Sequence, residues 1–141
     1  MAQEGAKIKM VTLEEANALL PQVRLTLRSL REQRAQVLRT QAQIEIEEMT
    51  GSDANGKLSN QAQGAITKLM EAFHYQTRQF EEKLEELFLG GAHLKDLDSG
   101  LVDFYSLREK EIVFLCWKEG EDEIRYWHTL QSGFQNRKPI T

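Results

Sequence analysis

From Leu20 onward the apolar positions fall three and four residues apart, at Val23, Leu27, Leu30, Val37 and Ile44, with Arg34 and Gln41 filling two places in the same series. That alternation is the seam of a helix packed against another helix. It predicts a helix running to about Met49, roughly 45 Å long at 1.5 Å per residue. A second series, Ala62, Ile66, Leu69, Phe73, Gln76, Phe80, Leu84 and Leu87, predicts a helix over 58–89 that ends at Gly90 and Gly91. Between them GSDANG, at 51–56, is a turn-rich loop short enough to send the second helix back antiparallel. With the fold-back centred near residue 53 or 54, Arg24 falls level with about residue 83 and Arg34 with Phe73.

Ahead of the seam, Thr12-Leu13-Glu14-Glu15 has the form of a capping box, in which hydroxyl and carboxylate each satisfy the other residue's amide. Val11 and Ala16 are placed to staple that start. Pro21 has no amide hydrogen, and its ring would clash with the carbonyl of Asn17, so a straight helix through it would cost about 3 kcal/mol. The expectation is a short helix over 13–20, a break, and a new helix with Pro21 in its first turn. Arg24, Arg28, Arg31 and Arg39 form a basic stripe beside the seam. Glu81, Glu82, Glu85 and Glu86 stand opposite its start in this register, which makes interhelical ion pairs a better reading than an anion site. Arg34 and Gln76, on the seam itself, read as residues that fix register.

After Gly91 the period changes from helical to alternating. Residues 93–97, the Asp98-Ser99-Gly100 turn and residues 101–105 read as a β-hairpin. Residues 111–118 follow as a strand apolar on both faces, hence central. A turn at Gly120 and a strand over 123–128 close a small antiparallel meander. The tail GFQNRKPIT has no period, and its Phe134 and Ile140 are expected to tuck against the rest. The fold class is therefore α+β, mostly helical: a short N-terminal helix, a long antiparallel helical hairpin (helical part 12–89) and a C-terminal β-meander with tail (92–141), in a single domain over 1–141. A second copy could cover the apolar stripe of so long a hairpin, making a homodimer.

With 141 residues, 40% hydrophobic and 28% charged, the chain fits one globular domain. A net charge of −4 argues against nucleic acid as a partner, since that binding rests on Lys and Arg neutralising phosphates. The first ten residues, MAQEGAKIKM, lack an apolar leader core, and the longest apolar run, 112–117, is far too short to span a bilayer. No membrane partner is expected. Cys116 has no second cysteine to pair with, which fits a reducing, cytoplasmic setting.

The residues able to do chemistry crowd into 112–128, IVFLCWKEGEDEIRYWH, which holds both tryptophans, the only cysteine and one of three histidines. Cys116 and His128 are candidate metal ligands with His93, Asp96 or Asp103, because zinc accepts thiolate, imidazole and carboxylate. The close ligand pairs of a typical zinc motif are absent, so a small buried hydrophobe is the first reading of Cys116 and a hydrogen-bonded structural role that of His128. A cysteine nucleophile with His128 as base is disfavoured by its mid-strand position, and His74 reads as surface. Asp103, Glu121, Arg125, Tyr126, Trp127, His128 and Arg137 together offer apolar walls and a few directional groups, as a small-molecule pocket needs. There Tyr126, Trp127, His128 and Arg137 are the candidate ligand-binding residues, and His128, Glu121 and Asp103 the candidate catalytic ones. No phosphate loop, nucleophile elbow, H-E-x-x-H helix or dinucleotide fingerprint is present.

TLEEANALLP at 12–21, LKDLDSGLVDF at 94–104, LCWKEGEDEIRYWH at 115–128 and GFQNRKPI at 133–140 resemble a bacterial family known as domain of unknown function 2203. The resemblance implies one intact domain in a bacterial cytosol, with no established activity, substrate or cofactor. It draws attention to Asp96, Gly100, Asp103, Cys116, Trp117, Gly120, Glu121, Tyr126, Trp127, His128, Gly133, Phe134, Arg137 and Pro139, and leaves His93 outside. The expected function is an interaction or small-ligand-binding module. The alternative is a small enzyme or metal-binding protein whose site comprises Asp103, Glu121, His128 and Arg137, with His128 as acid or base and Arg137 holding an anionic group.

Overall fold

A computed structural model describes residues 8–141; the reading of the leader falls largely on residues 1–7, outside the described residues. The elements are α1 (Leu13–Thr50), α2 (Asn60–Leu89), β1 (Ala92–Asp96), β2 (Leu101–Arg108), β3 (Glu111–Lys118), β4 (Tyr126–Thr129), a 3-10 turn (Phe134–Asn136) and β5 (Lys138–Pro139). No helix among the described residues is long and apolar enough to cross a membrane. Two compact units are present: one holds the chain up to Ser29 together with Lys83–Thr141, the other is Leu30–Glu82.

In the first unit the capping box forms as the sequence implies. The Thr12 amide donates to Glu15 Oε1 at 2.9 Å and the Glu15 amide to Thr12 Oγ1 at 3.1 Å. The expected break at Pro21 does not occur: α1 is continuous, with Pro21 inside it, so there is no separate short helix. Pro21 itself is exposed, whereas Ala16, Leu20, Val23 and Leu27 around it are at most 2% exposed. Burying those larger side chains is worth about 1.5–3 kcal/mol each, which outweighs the ~3 kcal/mol penalty of the proline.

The sheet is a five-stranded antiparallel meander in the order β1-β2-β3-β4-β5, with β3 central as its two-sided apolar pattern implies. β2 and β3 pair without interruption from Leu101↔Lys118 to Arg108↔Glu111. They turn at Glu109 and Lys110, both with positive φ, 50° and 74°. The apparently aperiodic tail supplies a two-residue edge strand on β4, where Pro139 lacks only a donor the edge does not require. Two buried anchors tie the start of the chain to this sheet: the Val11 amide donates to the Tyr105 carbonyl at 2.9 Å, and Ser106 Oγ donates to the Val11 carbonyl at 2.6 Å. Farther along α1, Asn17 Oδ1 accepts from the Ile124 amide at 2.8 Å.

The second unit corrects the expected register. The 51–59 segment is built by Asp53, whose Oδ1 accepts from the amides of Asn55 and Lys57 at 2.9 Å, and by a bridge between Ser52 and Leu58. Ser59 then caps α2 by accepting from the Ala62 amide at 3.0 Å. Because this loop is longer than its glycines suggest, the helices pair farther along α2: Thr40 Oγ1 donates to Gln76 Oε1 at 2.8 Å, a pair whose midpoint is residue 58. Gln76 thus fixes register, as a polar seam residue can. The opposition of Arg24 to Glu81–Glu86 does not arise. Within the first unit Arg24 donates instead to the carbonyls of Glu121 and Asp122 and lies 5.5 Å from the Trp117 ring.

Candidate functional site

Successive residues of a strand point to opposite faces, and paired residues share a face. The register therefore places His93, Asp103, Tyr105, Phe114, Cys116, Tyr126 and His128 on one face of the sheet. Val102, Phe104, Val113, Leu115, Trp117 and Trp127 take the other. Asp103 on β2, Cys116 on β3 and His128 on β4 are neighbours across three strands, and one ligating atom from each lies within 4.8 Å of the other two. Asp103 and His128 are 2% exposed and Cys116 is fully buried.

Hydrogen bonding defines how the imidazole is held. His128 Nδ1 is 2.8 Å from the Thr129 carbonyl, which can only accept, so Nδ1 carries a hydrogen. Nε2 is 3.1 Å from Asp103 Oδ2, within hydrogen-bond reach of the carboxyl group. Lys95 Nζ also reaches Asp103 Oδ2 at 3.4 Å and lies 4.2 Å from the Phe114 ring. The other carboxyl oxygen, Asp103 Oδ1, is buried without a hydrogen-bond partner, and so is His93 Nδ1 on the same face. Burial, then Lys95, lowers the His93 pKa, against an opposing pull from Asp103. The His93 ring lies between Phe88 and Tyr105, and Phe114 touches both it and His128.

Burial pushes the Cys116 thiol up to about 12; Asp103 adds to the shift and Arg137 opposes it. A thiol held that firmly in its protonated form is a poor nucleophile. Nor is His128 free to act as its base: Nδ1 is committed to the Thr129 carbonyl, and Nε2 faces Asp103.

Glu121 and Arg137, also read from the sequence as site residues, pair with each other. Arg137 Nη1 donates to Glu121 Oε2 at 3.0 Å and Oε1 at 3.3 Å, and its guanidinium lies 4.1 Å from the Tyr126 ring and 4.2 Å from that of Phe134. The Glu121 carboxylate accepts from the Lys118 amide at 2.9 Å and its carbonyl from Trp117 Nε1 at 3.0 Å. These bonds make Glu121 the organiser of the Gly120 turn and the anchor of Arg137. Trp127 is not brought to the cluster: it sits on the opposite face, with Arg108 4.7 Å and Lys138 5.2 Å from its ring. Asp96 turns the β1–β2 hairpin by accepting from the Ser99 amide at 3.0 Å, Arg125 pairs with Glu123 at 3.3 Å on the surface, and His74 is exposed. The sequence reading did not single out Lys95 and Tyr105, which alternation from His93 and from Asp103 places on this face.

The residues organised here, from the capping box to Ile140, are the segments that a family model matches over residues 9–140. The chain belongs to the DUF2203 family. The family is described as an uncharacterized conserved protein, so membership assigns no chemistry to the site. Comparison with curated proteins and with solved structures finds no similar protein. For this DUF2203 chain the reading of the site rests on its own geometry.

Proposed function

We propose that the protein is a ligand-binding module whose site is the Asp103–Cys116–His128 cluster, with Lys95 and the Glu121–Arg137 pair at its edge, working in a reducing, cytoplasmic setting where Cys116 stays free. The observation that carries this reading is Asp103 Oδ1: it is buried and unpartnered in a cluster whose other contacts are made. Leaving such a group unsatisfied costs about 1–3 kcal/mol, more if it is charged, and a purely structural cluster has no use for that cost. Asp103→Asn tests it by native mass spectrometry of gently purified protein beside thermal melts. The expected result is a bound mass in the wild type that the variant lacks, with a melting temperature that barely moves. A wild type free of adduct and a variant destabilised by about 1–3 kcal/mol would make the cluster structural.

A second reading concerns the 30–82 helices, where self-association is supported by Leu38, Ile46 and Met49. These are 49–79% exposed and lie on one side of α1. A second copy of the chain would cover them. Solution mass tests it, with a concentration-independent monomer as the contrary result.

A further inference from the structure

The ligand of this cluster is open to identification from the three side chains that meet there, an inference that rests on the binding reading above. We propose that Asp103, Cys116 and His128 form a centre for a zinc-class divalent transition-metal ion, bound through a carboxylate oxygen, Sγ and Nε2. Three observations combine. The donor atoms lie within 4.8 Å of one another and come from three adjacent strands, so the sheet fixes their spacing. Metal–ligand bonds of about 2.0–2.3 Å at tetrahedral angles put donors roughly 3.4–3.7 Å apart, so closure needs about 1 Å of side-chain movement. His128 is already presented as ligating histidines are, with Nδ1 held on the Thr129 carbonyl and Nε2 turned to Asp103. Asp103 Oδ1 is a buried acceptor that no protein group satisfies.

The donor set decides the class of ion. Calcium and magnesium require six or more oxygens and reject sulfur, whereas one thiolate, one imidazole and one carboxylate suit zinc and its neighbours in the first transition row. Three protein donors leave one tetrahedral position for solvent or another small molecule, the arrangement of zinc sites that do chemistry.

Around the ion, a Cys116 thiolate and the Asp103 carboxylate would supply two negative charges for its two positive ones, with the His128 imidazole neutral, as metal binding displaces protons from its ligands.

The experiment is titration of chelator-treated, full-length protein with Co²⁺, followed by competition with Zn²⁺. One equivalent is expected to bind and to show a near-ultraviolet thiolate-to-cobalt band, which Zn²⁺ abolishes. Cys116→Ser should lose that band, and Asp103→Asn and His128→Ala should each weaken binding at least tenfold while circular dichroism is unchanged. X-ray absorption of the zinc-loaded wild type needs no variant and should show one sulfur among nitrogen and oxygen ligands. A zinc shell without sulfur, or a cobalt band that survives Cys116→Ser, would overturn the assignment. If native mass spectrometry instead showed an organic adduct that Asp103→Asn removes, with no cobalt band, the metal would be wrong while the binding site stood. No adduct and no band would overturn both.

Discussion

The two compact units use their apolar residues in opposite ways. In the sheet-bearing unit Val102, Phe104, Trp117 and Cys116 are fully buried, as are Ala16 and Leu27 of α1. Among the described residues of the 30–82 unit only Leu30 and Ala62 are buried, while Leu38, Ile46, Met49, Met70 and Tyr75 are 40–79% exposed. A sheet brings side chains from several strands onto one surface and can enclose even polar groups. Two helices share only a seam, and a residue one position off it stays in water. A buried site is therefore expected in the first unit and an adhesive surface in the second.

Truncating a residue in each unit is the strongest way to break that comparison. Trp117→Ala should cost about 3–5 kcal/mol in urea denaturation, whereas Leu38→Ala should change stability by no more than about 0.5 kcal/mol. Comparable losses would mean that the hairpin has a core after all. Chemistry at Cys116 comes next. Its thiol, raised from 9.0 to about 12 chiefly by burial, carries roughly a thousandfold less thiolate at pH 8 than an unperturbed one, so metal-free folded protein should resist iodoacetamide. Because the folded state holds this hydrogen more tightly than the unfolded state, its contribution to stability is complete below pH 9 and is lost as pH rises from there towards 12. Alkaline melts of wild type against Cys116→Ala should show that extra loss in the wild type alone.

In the helical unit, a Cβ added at Gly51 would clash with that of Ala62 and come within 2.8 Å of the Glu47 carbonyl. Gly51→Ala should therefore destabilise by about 1–3 kcal/mol, and Ala62→Gly on top of it should recover part of the loss. A smaller effect belongs to Thr40→Val, which removes the hydrogen bond to Gln76 for about 0.5–1.5 kcal/mol. Hydrogen exchange should show faster opening in 30–82 and unchanged protection in the sheet.

What the sequence made legible follows the range of the forces involved. The capping box, the second helix, the central strand and the β1–β2 turn are set by residues within a few positions of one another, and all appear as read. Pro21 misled because the penalty at one position is local, while the burial of Leu20, Val23 and Leu27 that offsets it is tertiary. The helix register misled because Asp53 organises a longer loop than glycine spacing suggests. Cys116 and His128 stood out as rare residue types, but only strand register shows that Asp103 joins them and that Trp127, adjacent to His128 in sequence, faces away. Glu121 and Arg137 stood out by charge, but that they bond to each other becomes visible only once the Gly120 turn brings them together.

The tip of the β2–β3 hairpin has a kinetic corollary. Glu109 and Lys110 both adopt left-handed backbone that side-chain-bearing residues enter at a cost, whereas Asn-Gly would adopt it readily. The turn therefore cannot lead the formation of this hairpin; the eight consecutive pairs from Leu101↔Lys118 to Arg108↔Glu111 must hold it in place once they form. Strand pairing rather than the turn is then expected to set the pace. Substituting Asn-Gly at 109 and 110 should leave the refolding rate in stopped-flow experiments almost unchanged and slow unfolding, whereas faster refolding would place the turn in the transition state.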